Sequence, residues 1–99
     1  MAVLAVFTGA ITEVQYGTLK FTVYRGYDRS NGPLLHAAYL NEDGRIQVAE
    51  IWDSREALDG FVALRLSPML DALKIRPLEL TVYPMHFFAA SDAIAGHRL

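Results

Sequence analysis

The fold is decided by residues 34–52, LLHAAYLNEDGRIQVAEIW. Residues 34–40 and 46–52 are largely apolar runs, and the connector between them, residues 41–45, is short, polar and contains a glycine. Two such runs around such a connector predict a β-hairpin. We therefore expect two adjacent antiparallel strands in the middle of the chain.

A strand and a helix are predicted before this hairpin. Residues 2–7 form a short apolar run typical of a buried strand. Thr12 and Gln15 have the spacing of a capping box, in which each side chain binds the free backbone N–H of the other residue at a helix start. The helix should end near residues 25–26, and residues 27–33 are turn formers that predict a loop.

A second helix and a last strand are predicted after the hairpin. Residues 53–54 should cap the helix, with Glu56 placed to complete a capping box. Pro68 lacks a backbone N–H and should bend or interrupt this helix near Leu66. Residues 79–87 read as the last strand.

The order strand, helix, strand, strand, helix, strand predicts an α+β, ferredoxin-like βαββαβ domain. Its four-stranded antiparallel sheet would carry both helices on one face. We assign the domain to residues 1–87 and treat residues 88–99 as a C-terminal tail that forms a short helix or an arm.

Composition excludes several classes of protein. The chain has 99 residues, 53% of them hydrophobic and 20% charged, which excludes a disordered or fibrous protein. The net charge is −2 without a cluster of basic residues, so nucleic acid is not an expected partner. The absence of cysteine removes disulfides, thiolate metal sites and cysteine nucleophiles. The apolar start is too short for a membrane span, and we expect a cytoplasmic protein without a membrane partner.

The strands carry more apolar residues than are needed for the one sheet face that packs against the helices. Two helices cover only one face of the predicted sheet, and the strands do not alternate polar with apolar residues as a solvated face would require. An open face of this composition would be a large apolar patch. We therefore expect a homodimer that pairs two sheets face to face.

Several segments carry a resemblance to a known family. The chain resembles the antibiotic biosynthesis monooxygenase-like group of the dimeric α/β-barrel superfamily, in particular its small, uncharacterised actinobacterial members. The matching segments are HAAYLNEDG at 36–44, VAEIWDS at 48–54, EALDGF at 56–61, RLSP at 65–68 and YPMH at 83–86.

The resemblance implies a homodimer with a pocket for a small aromatic ligand. Some members of the group oxidise phenols to quinones with oxygen and without metal or cofactor; others degrade haem, or act as isomerases or decarboxylases, or have no known activity. A haem-degrading role is disfavoured, because Phe61 stands at the position of the family's tryptophan and Asp71 at that of its histidine ligand. For this chain we expect a homodimer that binds a small aromatic molecule and oxidises phenolic substrates with oxygen. A non-catalytic ligand-binding or dimerisation module is the alternative, and an isomerase or decarboxylase on the same scaffold is the third hypothesis.

His36 and Glu50 are the leading catalytic candidates. If Leu40 pairs with Ile46, His36 lies opposite Glu50, and both share one sheet face with Trp52. We place this face in the interior of the dimeric barrel and the opposite face against the helices. A carboxylate beside an imidazole orients the ring as a general base for a phenol. A purely structural hydrogen bond is the alternative for the pair, and core packing is the alternative to a substrate-binding wall for Trp52.

Five further residues complete the predicted site. Arg65 could hold an anionic substrate group or form a surface ion pair with Asp59 or Glu56, and it is predicted to stabilise a phenolate together with Tyr39. His86 could lie at the mouth of the site or, with His36 and Glu50, make up an iron-binding set of two histidines and a carboxylate. The residues predicted to line the substrate pocket besides Trp52 are Tyr39, Tyr83, Phe61 and His86.

Overall fold

The structure is a computed structural model that describes residues 1–23, 32–87 and 89. The predicted end of the first helix, most of the predicted loop and nearly all of the predicted tail lie outside these residues. The elements are β1 (Val3–Thr8), α1 (Glu13–Val23), β2 (Leu35–Leu40), β3 (Ile46–Trp52), α2 (Arg55–Phe61), a π-helical turn (Val62–Leu66), α3 (Ser67–Ala72) and β4 (Glu79–Pro84).

The four strands form one antiparallel sheet in the order β2-β3-β1-β4. This order, with the helices on one face, is the ferredoxin-like arrangement, so the predicted fold class is confirmed. The hairpin register is also as predicted, with Leu40 opposite Ile46 and His36 opposite Glu50. The last strand ends at Pro84, three residues earlier than predicted.

Side-chain caps begin both helical regions. The Thr12 and Gln15 side chains each accept the other residue's backbone N–H, over 3.1 and 3.0 Å, as the capping box predicts. In the second region the cap is Ser54, whose Oγ accepts from the Ala57 backbone N–H over 3.1 Å. The predicted box with Glu56 is therefore wrong, because a cap at Ser54 puts Ala57 at the position that the box requires.

Pro68 interrupts the second helical region as predicted. Proline has no N–H to continue the α-helical ladder. Just before it, the Ser67 N–H binds the carbonyl of Val62, five residues back, and Val62–Leu66 widens into a π-helical turn.

In the described part of the chain, no helix is long and apolar enough to cross a membrane.

The core lies between the sheet and the helices. Alternate β1 residues, Val3, Ala5 and Phe7, are buried against it, and Leu58 and Phe61 close it from α2. The other buried apolar side chains of this core are Ile11, Leu19, Val23, Ile46, Val48, Trp52, Leu66, Leu70 and Ile75. Ile51, on the opposite sheet face, is also buried.

The predicted face of the histidine–glutamate pair is wrong. His36, Glu50 and Trp52 face the helices, since Trp52 packs on Phe61 and His36 contacts Tyr16 of α1. The prediction gave the helices the face with the small residues Ala37 and Ala49. The helices instead pack on the face that carries the larger β3 side chains Ile46, Val48 and Trp52, which belong to the core.

The other sheet face carries apolar and aromatic side chains that no described helix covers. Tyr39 and Tyr83 are 47% and 53% exposed there, beside the partly exposed Val6 and Leu35. We call this surface the open face. It has the apolar character that the strand sequences predicted.

Candidate functional site

An apolar cavity lies between α1, the sheet and the second helical region. Tyr16, Lys20 and His36 are the polar residues of its lining, and the rest are aliphatic side chains and two phenylalanines, Phe7 and Phe61. The space between the surrounding atoms, open mouth included, is about 430 Å³, of which about 30 Å³ can hold the centre of a water-sized sphere. The cavity is thus narrow and has its polar groups together on one side.

A hydrogen-bonded chain of side chains runs from this cavity into the core. His36 Nδ1 lies 2.7 Å from Glu50 Oε2, and the indole N–H of Trp52 donates to Glu50 Oε1 over 2.9 Å. Glu50 is completely buried, whereas the His36 side chain is 22% exposed. A buried carboxylate is stable only where hydrogen bonds or a charge partner replace its water. The two donors fix the carboxylate, and the carboxylate fixes the imidazole ring.

Tyr16 extends this chain on the cavity side. Its hydroxyl lies 2.5 Å from His36 Nε2, and the two rings are nearly parallel, with centroids 6.0 Å apart. Burial, and next the negative charge of Glu50, raise the pKa of Tyr16 to about 12. Tyr16 was not among the residues predicted for the site. A half-buried tyrosine needs a partner for its hydroxyl, and that need was the available signal.

The cation at the cavity is also not the predicted one. Lys20 lines the cavity, and its ammonium group lies 5.8 Å from the centre of the Tyr16 ring. Arg65 is exposed on the π-helical turn and is not among the described residues of the lining. Asp59, one predicted partner of Arg65, forms an ion pair with Arg55 over 2.9 Å.

The other predicted residues divide between the core and the far side of the sheet. Phe61 lines the cavity and packs against Trp52, with ring centroids 4.9 Å apart. Tyr39 and Tyr83 lie on the open face, and His86 is exposed after β4. A single chain therefore does not bring Tyr39 or Tyr83 to the cavity that His36 lines.

The iron-binding set of His36, Glu50 and His86 does not come together within one chain. Among residues 1–23, 32–87 and 89, no three histidine, aspartate or glutamate side chains are close enough to hold a metal ion. His36 and Glu50 are in contact, while His86 is not grouped with them.

Comparison with known proteins gives similarity in structure alone. No family model and no curated protein matches the chain. A conserved protein from Methanosarcina mazei Go1 superimposes with a TM-score of 0.63 at 16% identity, covering 84% of this chain and 91% of that one. Rv0793 from Mycobacterium tuberculosis superimposes with a TM-score of 0.59 at 23% identity, covering 90% of this chain and 97% of that one. A candidate antibiotic biosynthesis monooxygenase from Deinococcus radiodurans superimposes with a TM-score of 0.56 at 18% identity, covering 92% of this chain and 98% of that one.

These similarities define the class of fold. The chain is an α+β protein of ferredoxin-like topology whose structural neighbours include candidate antibiotic biosynthesis monooxygenases. The resemblance predicted from the hairpin and helix motifs is confirmed at this level. At these identities the comparison establishes the fold, and the chemistry has to be argued from the cavity.

Proposed function

We propose that this protein binds a small, flat, largely apolar molecule in the cavity and oxidises phenolic molecules with oxygen, without a cofactor. The observation that carries the proposal is the contact of His36 Nδ1 with buried Glu50 at the wall of an apolar cavity. An imidazole held in this way by a carboxylate is a competent general base.

The reaction begins with transfer of the phenolic proton to His36, which Glu50 stabilises as an imidazolium. The electron-rich phenolate then reduces oxygen directly. For a ring CH2 group activated by such a phenolate, the CH2 becomes C=O and the second oxygen atom leaves as water. Lys20, at the same cavity, is placed to stabilise the phenolate, the role predicted for Arg65 and Tyr39.

Oxygen uptake tests the reaction. Wild-type protein, His36→Ala and Glu42→Gln are compared on a panel of anthrones and hydroquinones. Glu42 is exposed in the hairpin connector and serves as the control. Positioned bases contribute about 100-fold or more to rate, so His36→Ala should lose at least that factor while the control keeps wild-type turnover. Equal uptake by wild type and His36→Ala across the panel would contradict the proposal.

We further propose that the open face pairs with a second copy of the chain. The face is apolar and aromatic, a composition that isolated chains rarely leave in water. Light scattering at micromolar concentration should give twice the mass of the 11.0 kDa chain. Val6→Lys puts a charge on the open face and should yield monomers. Val14→Lys makes the same change on α1, at a residue that is 81% exposed, and should leave the dimer intact. A wild-type mass of one chain would contradict this pairing.

A non-catalytic ligand-binding module is the second candidate, and the narrow cavity favours it. The accessible space is only about 30 Å³, which leaves little room for oxygen beside a bound ring. Trp52, the one tryptophan of the sequence, packs on the cavity residue Phe61, so its fluorescence reports ligand binding. Saturable binding of an anthrone without oxygen uptake would identify this module.

A further inference from the structure

The hydrogen-bonded chain at the cavity has a fixed direction. Ionised Glu50 can only accept, so the proton between it and His36 belongs to His36 Nδ1. A neutral imidazole with its proton on Nδ1 carries a lone pair on Nε2. While His36 is neutral, the Tyr16 hydroxyl, 2.5 Å away, therefore donates to Nε2. The lone pair that a base would offer to a substrate is directed at Tyr16.

We propose that Tyr16 is the group that meets the substrate hydroxyl and that it relays the substrate's proton to His36. Tyr16 lines the cavity, and its hydroxyl contacts the base. A phenol in the cavity can then be deprotonated without displacing the Tyr16–His36 hydrogen bond. This inference rests on the proposed function and changes which residue touches the substrate.

The relay balances. The substrate O–H bond breaks as a new O–H bond forms on the Tyr16 oxygen, and the original Tyr16 proton moves to His36 Nε2. After the transfer Tyr16 is neutral again, His36 is an imidazolium and Glu50 is still a carboxylate. The bound substrate has become a phenolate.

Binding of 4-nitrophenol, whose phenolate absorbs visible light, tests the relay without any turnover. At a pH where the free probe is mostly neutral, the wild-type protein should raise the phenolate fraction of the bound probe. Tyr16→Phe keeps the ring and removes the relaying oxygen, and it should lower that fraction about 10-fold or more. Its affinity for 4-nitroanisole, which has no proton to give, should stay within about twofold. Val14→Ala, exposed on the same helix, is the matched control.

The outcomes separate the two proposals. A wild-type protein that does not raise the phenolate fraction contradicts the proposed function, and the relay with it. A Tyr16→Phe protein that ionises the probe as well as wild type contradicts the relay alone, because His36 then acts directly. Nitrogen NMR of the His36 ring in the wild-type protein needs no variant. The proton is expected on Nδ1 with Nε2 as acceptor, and neutral His36 with its proton on Nε2 would overturn the relay.

Discussion

Glu50 and Trp52, two residues apart on β3, are joined by a hydrogen bond from the indole N–H to Glu50 Oε1 over 2.9 Å, with 0% and 1% of their surfaces exposed. Residues two apart on a strand share a face, so the local geometry favours this contact. The bond occupies the carboxylate oxygen that His36 does not contact. It holds the buried charge in place from the core side while His36 holds it from the cavity side.

Glu50→Gln should destabilise the fold by about 2 kcal/mol, because the amide offers one accepting oxygen to two buried donors, so that one hydrogen bond becomes a weaker neutral one and the other is lost. Urea denaturation measures this loss. Glu42→Gln makes the same chemical change at an exposed site and should stay within about 0.5 kcal/mol of wild type. Equal midpoints for the two variants would show that the buried carboxylate contributes nothing to stability.

The raised pKa of Tyr16 predicts a loss of stability at alkaline pH. In the unfolded chain the phenol ionises near its ordinary pKa of 10.0, whereas burial in the folded chain raises the pKa to about 12. The stabilising effect is complete below pH 10 and is lost as the pH rises towards 12. Chemical denaturation across this window should show a steeper decline for wild type than for Tyr16→Phe. Parallel curves would mean that Tyr16 ionises alike in both states.

Leu58→Ala should cost about 2–5 kcal/mol of unfolding free energy, since it leaves a hole in a packed core. Leu58 is 0% exposed at the centre of the helix–sheet interface. Leu64, six residues later, is 78% exposed. Leu64→Ala should change stability by less than about 0.5 kcal/mol, and a comparable loss there would indicate that this surface is covered in solution.

Two glycines should respond to alanine with opposite signs. Gly44 has a φ of +74° in the hairpin connector, so Gly44→Ala should destabilise by about 1–2 kcal/mol. Gly17 lies inside α1, and nothing lies within 4 Å of the position that a Cβ would take. Gly17→Ala should therefore stabilise by about 0.5–1 kcal/mol. Thermal unfolding of both variants checks the signs, and a destabilised Gly17→Ala would reveal a steric contact at that position.

Local patterns in the sequence were sufficient for the fold. The capping box at Thr12, the hairpin register and the interruption before Pro68 each depend on residues within a few positions of one another. Such features are set by backbone chemistry and periodicity, which a sequence displays directly. The error at Glu56 has the same local origin, because neighbouring Asp53 and Ser54 are both good caps and only one of them begins the helix.

The site was predictable only within the hairpin. Strand pairing brought His36 and Glu50 together, and register could be counted from the connector. Tyr16 and Lys20 could not be found in this way, because they reach the cavity from a helix whose position depends on packing. Arg65 and Tyr39 were assigned on chemistry alone, and the structure places neither at the cavity.

The sequence by itself determined the order of the elements, the antiparallel pairing of the hairpin and the excess of apolar strand residues. Tertiary structure decided which sheet face the helices cover. Both faces of the strands carry apolar residues, so alternation along the chain does not distinguish them, and the contacts of Trp52 with Phe61 and of His36 with Tyr16 show which face the helices cover. Larger side chains on the face of Glu50 fill the space beneath the helices. That choice puts the histidine–glutamate pair in the cavity and leaves the tyrosines on the open face.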